Sequence, residues 1–319
     1  VSRVLPVAAI QLAVRVADAA HNLAACERLA LQAVRAGARW IALPEFFNTG
    51  VLFAPALCEA IEPDDGAAAN FLRDFSAAHG VVIGGSFLCR LPDGSVRNRY
   101  QCWHGGQLLG RHDKDLPTMW ENAFYEGGAA DDTGELGPVD GVRVGAAVCW
   151  EFMRSATARR LQGRVDLLVG GSCWWSIPDW VPGRARLEAR NSANAIACVQ
   201  DTARLLGVPV LHAAHCGAAR CAMPGMPWLP DYRGCYEGHA AIVAADGKLL
   251  AHRTASEGEG IVLARVDLGR QPAAHELPPV PARYWLRSRG LLPALAWHQQ
   301  RWSGRRWYAR HVRGDASLQ

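Results

Sequence analysis

Val4-Leu5-Pro6-Val7-Ala8-Ala9-Ile10-Gln11-Leu12 and, further on, Trp40-Ile41-Ala42-Leu43-Pro44-Glu45 are the stretches whose reading decides the fold. Both are short apolar runs bounded by polar or turn residues, the pattern of buried strands. Between them Asp18 offers an N-cap, Leu23, Cys26, Leu29 and Ala33 recur at helical spacing, and Gly37 stands where a helix would stop. Strand, helix and strand with short joints make a βαβ unit, and its crossover implies parallel pairing.

The alternation continues down the chain. A helix is predicted over 67–79 with Gly80 as its stop, then a strand over Val81–Gly85. Tyr100–His104 and Gln107–Arg111 flank Gly105-Gly106 as a hairpin, and 238–243 and 248–251 flank Asp246-Gly247 in the same way. Between the hairpins lie a strand at Val142–Val148 that runs into Cys149, a helical stretch to Leu161, a strand at Val165–Val169, a long helix over 184–206 and a strand at Val208–Leu211. Ile261–Val266 is the last strand. These elements predict one α/β domain with a helix-covered mixed sheet over 1–270 and a C-terminal extension over 271–319, stiffened near its start by Pro278, Pro279 and Pro281.

Composition narrows the function classes. Half of the 319 residues are apolar and a fifth are charged, which suits a globular protein with a sizeable core and excludes a disordered or fibrous chain. No apolar run approaches the ~18–20 residues of a membrane span, so neither a transmembrane helix nor a secretory signal is expected. Ten cysteines without regular spacing in so long a chain read as reduced thiols of a cytoplasmic protein. Lys114 and Lys248 are the only lysines among 34 basic residues. Where arginine serves almost every surface need, a lysine asks for a reason, and a compact ammonium at a reacting centre is one.

Three residues stand at ends of predicted strands or hairpins: Glu45, Lys114 and Cys149. In open α/β sheets such ends face the ligand crevice. A thiol at a strand-to-helix turn also lies near backbone N–H groups that stabilise a thiolate or an oxyanion. Each has a bland alternative. Glu45 alone reads as a solvated strand-end carboxylate, Cys149 as a small core residue and Lys114 as a surface charge. His212, His215, Cys216 and Cys221 are spaced loosely like zinc ligands but match no familiar site, so no metal is expected.

Order and spacing carry more. Leu43-Pro44-Glu45, Lys114 with Leu116-Pro117-Thr118, Glu121 ahead of Phe124-Tyr125 and Gly127-Gly128, Val148-Cys149-Trp150-Glu151, and Gly171-Ser172 with Trp174-Trp175 occur in sequence. Together they resemble the nitrilase superfamily of carbon–nitrogen hydrolases over about residues 4–266. The resemblance implies a four-layer αββα sandwich and a hydrolase of non-peptide carbon–nitrogen bonds that needs no cofactor. It implies Cys149 as nucleophile, Glu45 as general base, Lys114 and the backbone N–H of Trp150 as oxyanion donors, and Glu121 as the carboxylate that orients the lysine. Cys173, Trp174 and Tyr125 are the expected pocket residues. Cys-Trp-Glu resembles the nucleophile motif of true nitrilases, whereas Phe152-Met153-Arg154 departs from their usual continuation.

An amidase releasing ammonia or an amine from a small linear amide is the expected activity, with a nitrilase making acid and ammonia as the alternative. The tail supplies a reading of another class. Residues 281–314 hold eight arginines, no acid, and Trp285, Trp297, Trp302 and Trp307. That mixture occurs in proteins that bind nucleic acid or membrane surfaces on an inert scaffold. The expectation here is instead that the tail packs on a neighbouring subunit or on its own body, within a homo-oligomer that binds no nucleic acid.

Overall fold

Asp18 caps the first helix as its sequence suggests: its Oδ1 accepts from the His21 N–H at 3.1 Å. In the computed structural model, which describes residues 4–268 and 291–313, β1 (Val4–Ala13), α1 (Ala19–Arg35) and β2 (Trp40–Ala42) form the expected parallel unit, with Val7 opposite Trp40. A two-residue β3 (Glu62–Pro63), α2 (Ala67–His79), β4 (Val82–Arg90), β5 (Val96–His104) and β6 (Gln107–Asp113) follow. Then come β7 (Glu135–Val139), β8 (Val142–Val148), α3 (Ser155–Leu161), β9 (Leu167–Ser172), α4 (Arg184–Leu206) and β10 (Val210–Cys221). β11 (Tyr232–Val243), β12 (Leu249–Thr254) and β13 (Gly260–Asp267) complete the sheet, and α5 (Leu291–His311) closes the described chain.

The main strand path runs β6-β5-β4-β2-β1-β10-β9-β8-β7, parallel in its middle and antiparallel at both ends. Its two ends, β6 and β7, come back into contact, so the halves fold face to face. α1 and α2 cover the first half through Leu29, Ala33, Leu72 and Phe75, and α3 and α4 cover the second through Leu161, Val199 and Ala203. Four layers result, helix on sheet on sheet on helix, as expected.

The tail is where the structure adds most. The expected extension contains a helix, and α5 lies on its own chain rather than standing away from it. Trp297, Tyr308 and Val312 are buried there. Each buried side chain of this size contributes roughly 1.5–3 kcal/mol. Arg305, Arg306, Arg310 and Arg313 stay exposed, so the basic charge faces outward. The proline-rich start of the extension, Trp285 and the expected boundary at 270/271 lie outside the described residues. Among the described residues, no helix is long and apolar enough to cross a membrane.

Candidate active site

Four segments deliver the site. The turn after β2 brings Glu45, the loop after β6 brings Lys114, a short 3-10 turn over Met119–Ala123 brings Glu121, and the end of β8 brings Cys149. None of the four side chains is more than 1 % exposed. Cys149 sits at φ +52° and Phe46, next to Glu45, also at φ +52°. Left-handed backbone is strained for side chains of this kind and persists only where the surroundings impose it.

Lys114 is the hub. Its Nζ donates to Glu45 Oε1 at 2.8 Å, Glu121 Oε2 at 2.6 Å and Thr118 Oγ1 at 3.1 Å, which uses all three ammonium protons. Burial works against the charged form, but the Glu121 and Glu45 carboxylates outweigh it and hold the lysine protonated, above its ordinary range. Glu121 Oε2 also accepts from the Thr118 N–H at 2.8 Å and from the Tyr125 hydroxyl. Burial pushes Glu121 up to about 7 despite its lysine partner.

Glu45 is gripped from three further directions. Asn98 Nδ2 donates to its Oε1 at 2.8 Å, the Cys173 N–H donates to its Oε2 at 2.8 Å, and His215 Nε2 meets its backbone carbonyl at 2.6 Å. Gly171 makes the Cys173 contact possible, because a Cβ there would lie 2.9 Å from Pro44 Cα and 3.1 Å from Glu45 N. The Cys149 sulfur and the Glu45 and Glu121 carboxylates come within 4.8 Å of one another. Burial, reinforced by Glu45, pushes the Cys149 thiol well above its ordinary range. At rest it is a neutral S–H beside a carboxylate.

Those three ligand-capable groups could suggest a metal. The Lys114 ammonium already bonds both carboxylates, and a second cation would have to displace it. The loosely zinc-like segment does not converge either. His212 and His215 are three apart on β10, hence on opposite faces. His212 bonds Ser172 Oγ at 2.8 Å and the His239 carbonyl at 3.0 Å, while His215 turns to Glu45.

Glu151, quoted above only as part of a motif, points away from the sulfur. Its Oε2 accepts from the Val148 N–H at 2.8 Å and pairs with His112 Nε2 at 2.8 Å; its Oε1 accepts from the Asp115 N–H and from Arg160, both at 3.1 Å. The carboxylate thereby ties the Cys149 turn to the Lys114 loop and fixes the gap between them. Burial opposes a charged His112, but Glu151 and Asp132 on its two ring nitrogens outweigh it and push it up to about 10. A raised histidine stabilises fully below its unfolded value of about 6.5, and the effect fades as pH climbs towards 10. His112→Gln should therefore cost roughly 3–5 kcal/mol in acid-neutral buffer. It should also flatten the fall in stability between those pH values, as urea melts across the window would read.

The expected pocket residues divide. Tyr125 meets Glu121 through its hydroxyl, and Cys173 serves through its backbone N–H, with its sulfur near the Val51 carbonyl. Trp174 is half-buried against the core cluster that includes Cys149 and Trp150, its Nε1 donating to Asn191 Oδ1 of α4 at 3.0 Å. Asn98, His215 and the fixture role of Glu151 were missed from sequence, since no local pattern marks them.

The model of the carbon-nitrogen hydrolase family matches residues 6–275. The chain belongs to that family. This carbon–nitrogen hydrolase shares its fold with the amidase from Nesterenkonia sp., at TM-score 0.64 and 18% identity, covering 82% of this chain and 90% of that one. It is also similar to a carbon-nitrogen hydrolase from Helicobacter pylori G27, at TM-score 0.66 and 17% identity, covering 83% and 90%. A mutant of the Nesterenkonia sp. AN1 amidase carries the acetamide moiety of fluoroacetamide on its active-site cysteine, at TM-score 0.64, 18% identity and coverage of 83% and 90%. No curated protein matches the chain. α5 lies beyond the family match.

Proposed function

We propose that this hydrolase is an amidase that cleaves a small linear amide through a thioester on Cys149. The observation that carries the reading is the buried lysine held between two carboxylates beside a neutral thiol. Such a thiol needs its proton removed as it attacks, and Glu45 is the base within reach. The sulfur bonds the amide carbon, Glu45 takes the S–H proton, and the carbonyl electrons move onto oxygen. That oxyanion falls to Lys114 and the Trp150 N–H. Of the three lysine bonds, the one to Thr118 is longest and goes to a neutral partner, so it is the one an oxyanion displaces most cheaply.

Collapse of the tetrahedral species breaks the C–N bond, and Glu45 hands its proton to the departing nitrogen. Water, deprotonated by the same carboxylate, then attacks the thioester; the acid leaves and the thiol regains its proton. Glu121 keeps the ammonium aimed throughout. No metal enters this scheme.

The nitrilase alternative draws on Cys149-Trp150-Glu151. Because Glu151 faces the His112 network and not the sulfur, that motif speaks for scaffolding more than for substrate. Ten free cysteines, most of them buried, fit the proposed reducing, cytoplasmic setting. Self-association rests on the family resemblance, with the exposed first half of α4 as an available face. The test is ammonia release from linear amides and their matched nitriles. Amides should be turned over at least ten times faster, about 1.4 kcal/mol of discrimination. Faster nitrile turnover would replace the amidase reading, and inertness to both would favour the non-catalytic one.

A further inference from the structure

α5 lies outside the family match, yet it meets both loops that carry the reacting groups, the Met119–Ala123 turn along its length and the nucleophile turn through Trp297. Trp297 is buried at their junction. Its Nε1 donates to the Pro117 carbonyl at 3.4 Å, one residue before Thr118 of the lysine loop. Its ring centroid lies 6.5 Å from that of Trp150, the residue after Cys149. The indole therefore spans the seam between the Lys114–Glu121 loop and the nucleophile turn.

Its position is set by contacts along the rest of the helix. Gly304 lets the α5 backbone reach the Met119–Ala123 turn, since a Cβ there would lie 2.8 Å from Asn122 Cβ. A mid-helix glycine is otherwise costly, so this close approach accounts for it. The Val96 N–H donates to Tyr308 Oη at 2.9 Å, Arg90 donates to the Val312 carbonyl at 2.8 Å, and Trp307 packs edge-on to Phe53 at 5.1 Å. Trp302, by contrast, is 59 % exposed, with Arg306 stacked on its outer face at 3.7 Å.

We propose that α5 is a wall of the substrate site and that Trp297 is a specificity-determining residue. It limits the hydrolase to short, uncharged acyl groups. The seam it spans is apolar: Leu116 and Met119 pack into the same cluster as Trp150, Trp297 and Cys149. A longer acyl chain meets the indole, and a charged one loses its water there without a partner. This deepens the amidase reading and rests on it, so the test needs one arm that does not depend on turnover.

The first arm measures kcat/KM for linear amides of two to six carbons in the wild type, Trp297→Ala, Trp297→Phe and Trp302→Ala. Trp297→Ala should raise the ratio of the longest to the shortest substrate at least about tenfold, the usual worth of a methylene-sized change in a pocket. Trp297→Phe should move it part-way and Trp302→Ala not at all. The second arm alkylates Cys149 with iodoacetamide or with the bulkier N-phenylmaleimide, read on the Cys149 peptide by mass spectrometry. The bulky-to-small rate ratio should rise by a similar factor in Trp297→Ala alone. A shift in alkylation without amide turnover would uphold the wall and sink the amidase reading. Amide turnover with neither ratio changed in Trp297→Ala or the milder Trp297→Phe would overturn the wall and leave the amidase reading standing.

Discussion

Cys149→Ala is expected to abolish ammonia release, a loss on the order of 10⁴-fold or more, comparable to deleting the nucleophile of other covalent hydrolases. The fold should survive. The substitution removes one buried sulfur and keeps the Cβ, so the turn at φ +52° is asked to hold nothing bulkier than before. Cys149→Ser should be nearly as inactive. A carboxylate is a poor base for a hydroxyl, whereas it can share a thiol proton as the C–S bond forms. Circular dichroism and a thermal melt beside the activity assay separate lost chemistry from lost structure. A serine variant within tenfold of wild type would mean that proton removal from sulfur is not what Glu45 does.

Lys114→Arg and Glu45→Gln form the second pair. Arginine keeps the positive charge, but its broad planar fork cannot reproduce three bonds from one nitrogen to Glu45, Glu121 and Thr118. The loss should be roughly 10²–10³-fold in kcat, the worth of an oxyanion donor. Glu45→Gln preserves size but cannot accept the thiol proton, and a loss of about 10²–10⁴-fold in kcat/KM is expected for a missing general base. Both variants also disturb a buried ion pair, so each should melt lower than wild type. Near-normal rates in both would reduce these residues to structural charges.

How much of this was legible in the sequence depended on the range over which each feature is encoded. α1, α2, α4 and most strands follow from local period and capping, and they fall close to where they were expected. β7 escaped because Glu135-Leu136-Gly137-Pro138-Val139 contains both a glycine and a proline, tolerated only because it ends the strand path. α5 escaped for a different reason. Its inner positions Trp297, Gln300, Gly304 and Tyr308 recur every three or four residues, but two of them are not apolar. Leu295 and Trp302 face outward, so no clean stripe shows. Only the contact surface reveals the helix face.

The site divides along the same line. Glu45, Lys114, Glu121 and Cys149 could be picked out by residue type, place and family resemblance, and the fold brings all four together. Asn98, His215 and the Cys173 N–H could not. They reach Glu45 across 53, 170 and 128 residues of chain, from strands or loops whose own sequence says nothing of that target. The burial that lifts the Cys149 thiol and Glu121 likewise exists only once the two sheet halves close.

The proposed thioester places the acyl group on Cys149. Enzyme quenched in acid while turning over a small linear amide, then digested and read by mass spectrometry, tests it most directly. The acyl mass should appear on the Cys149 peptide and be absent from the Cys149→Ala protein. An acyl group on Cys173, or turnover with none of the ten cysteines modified, would contradict it.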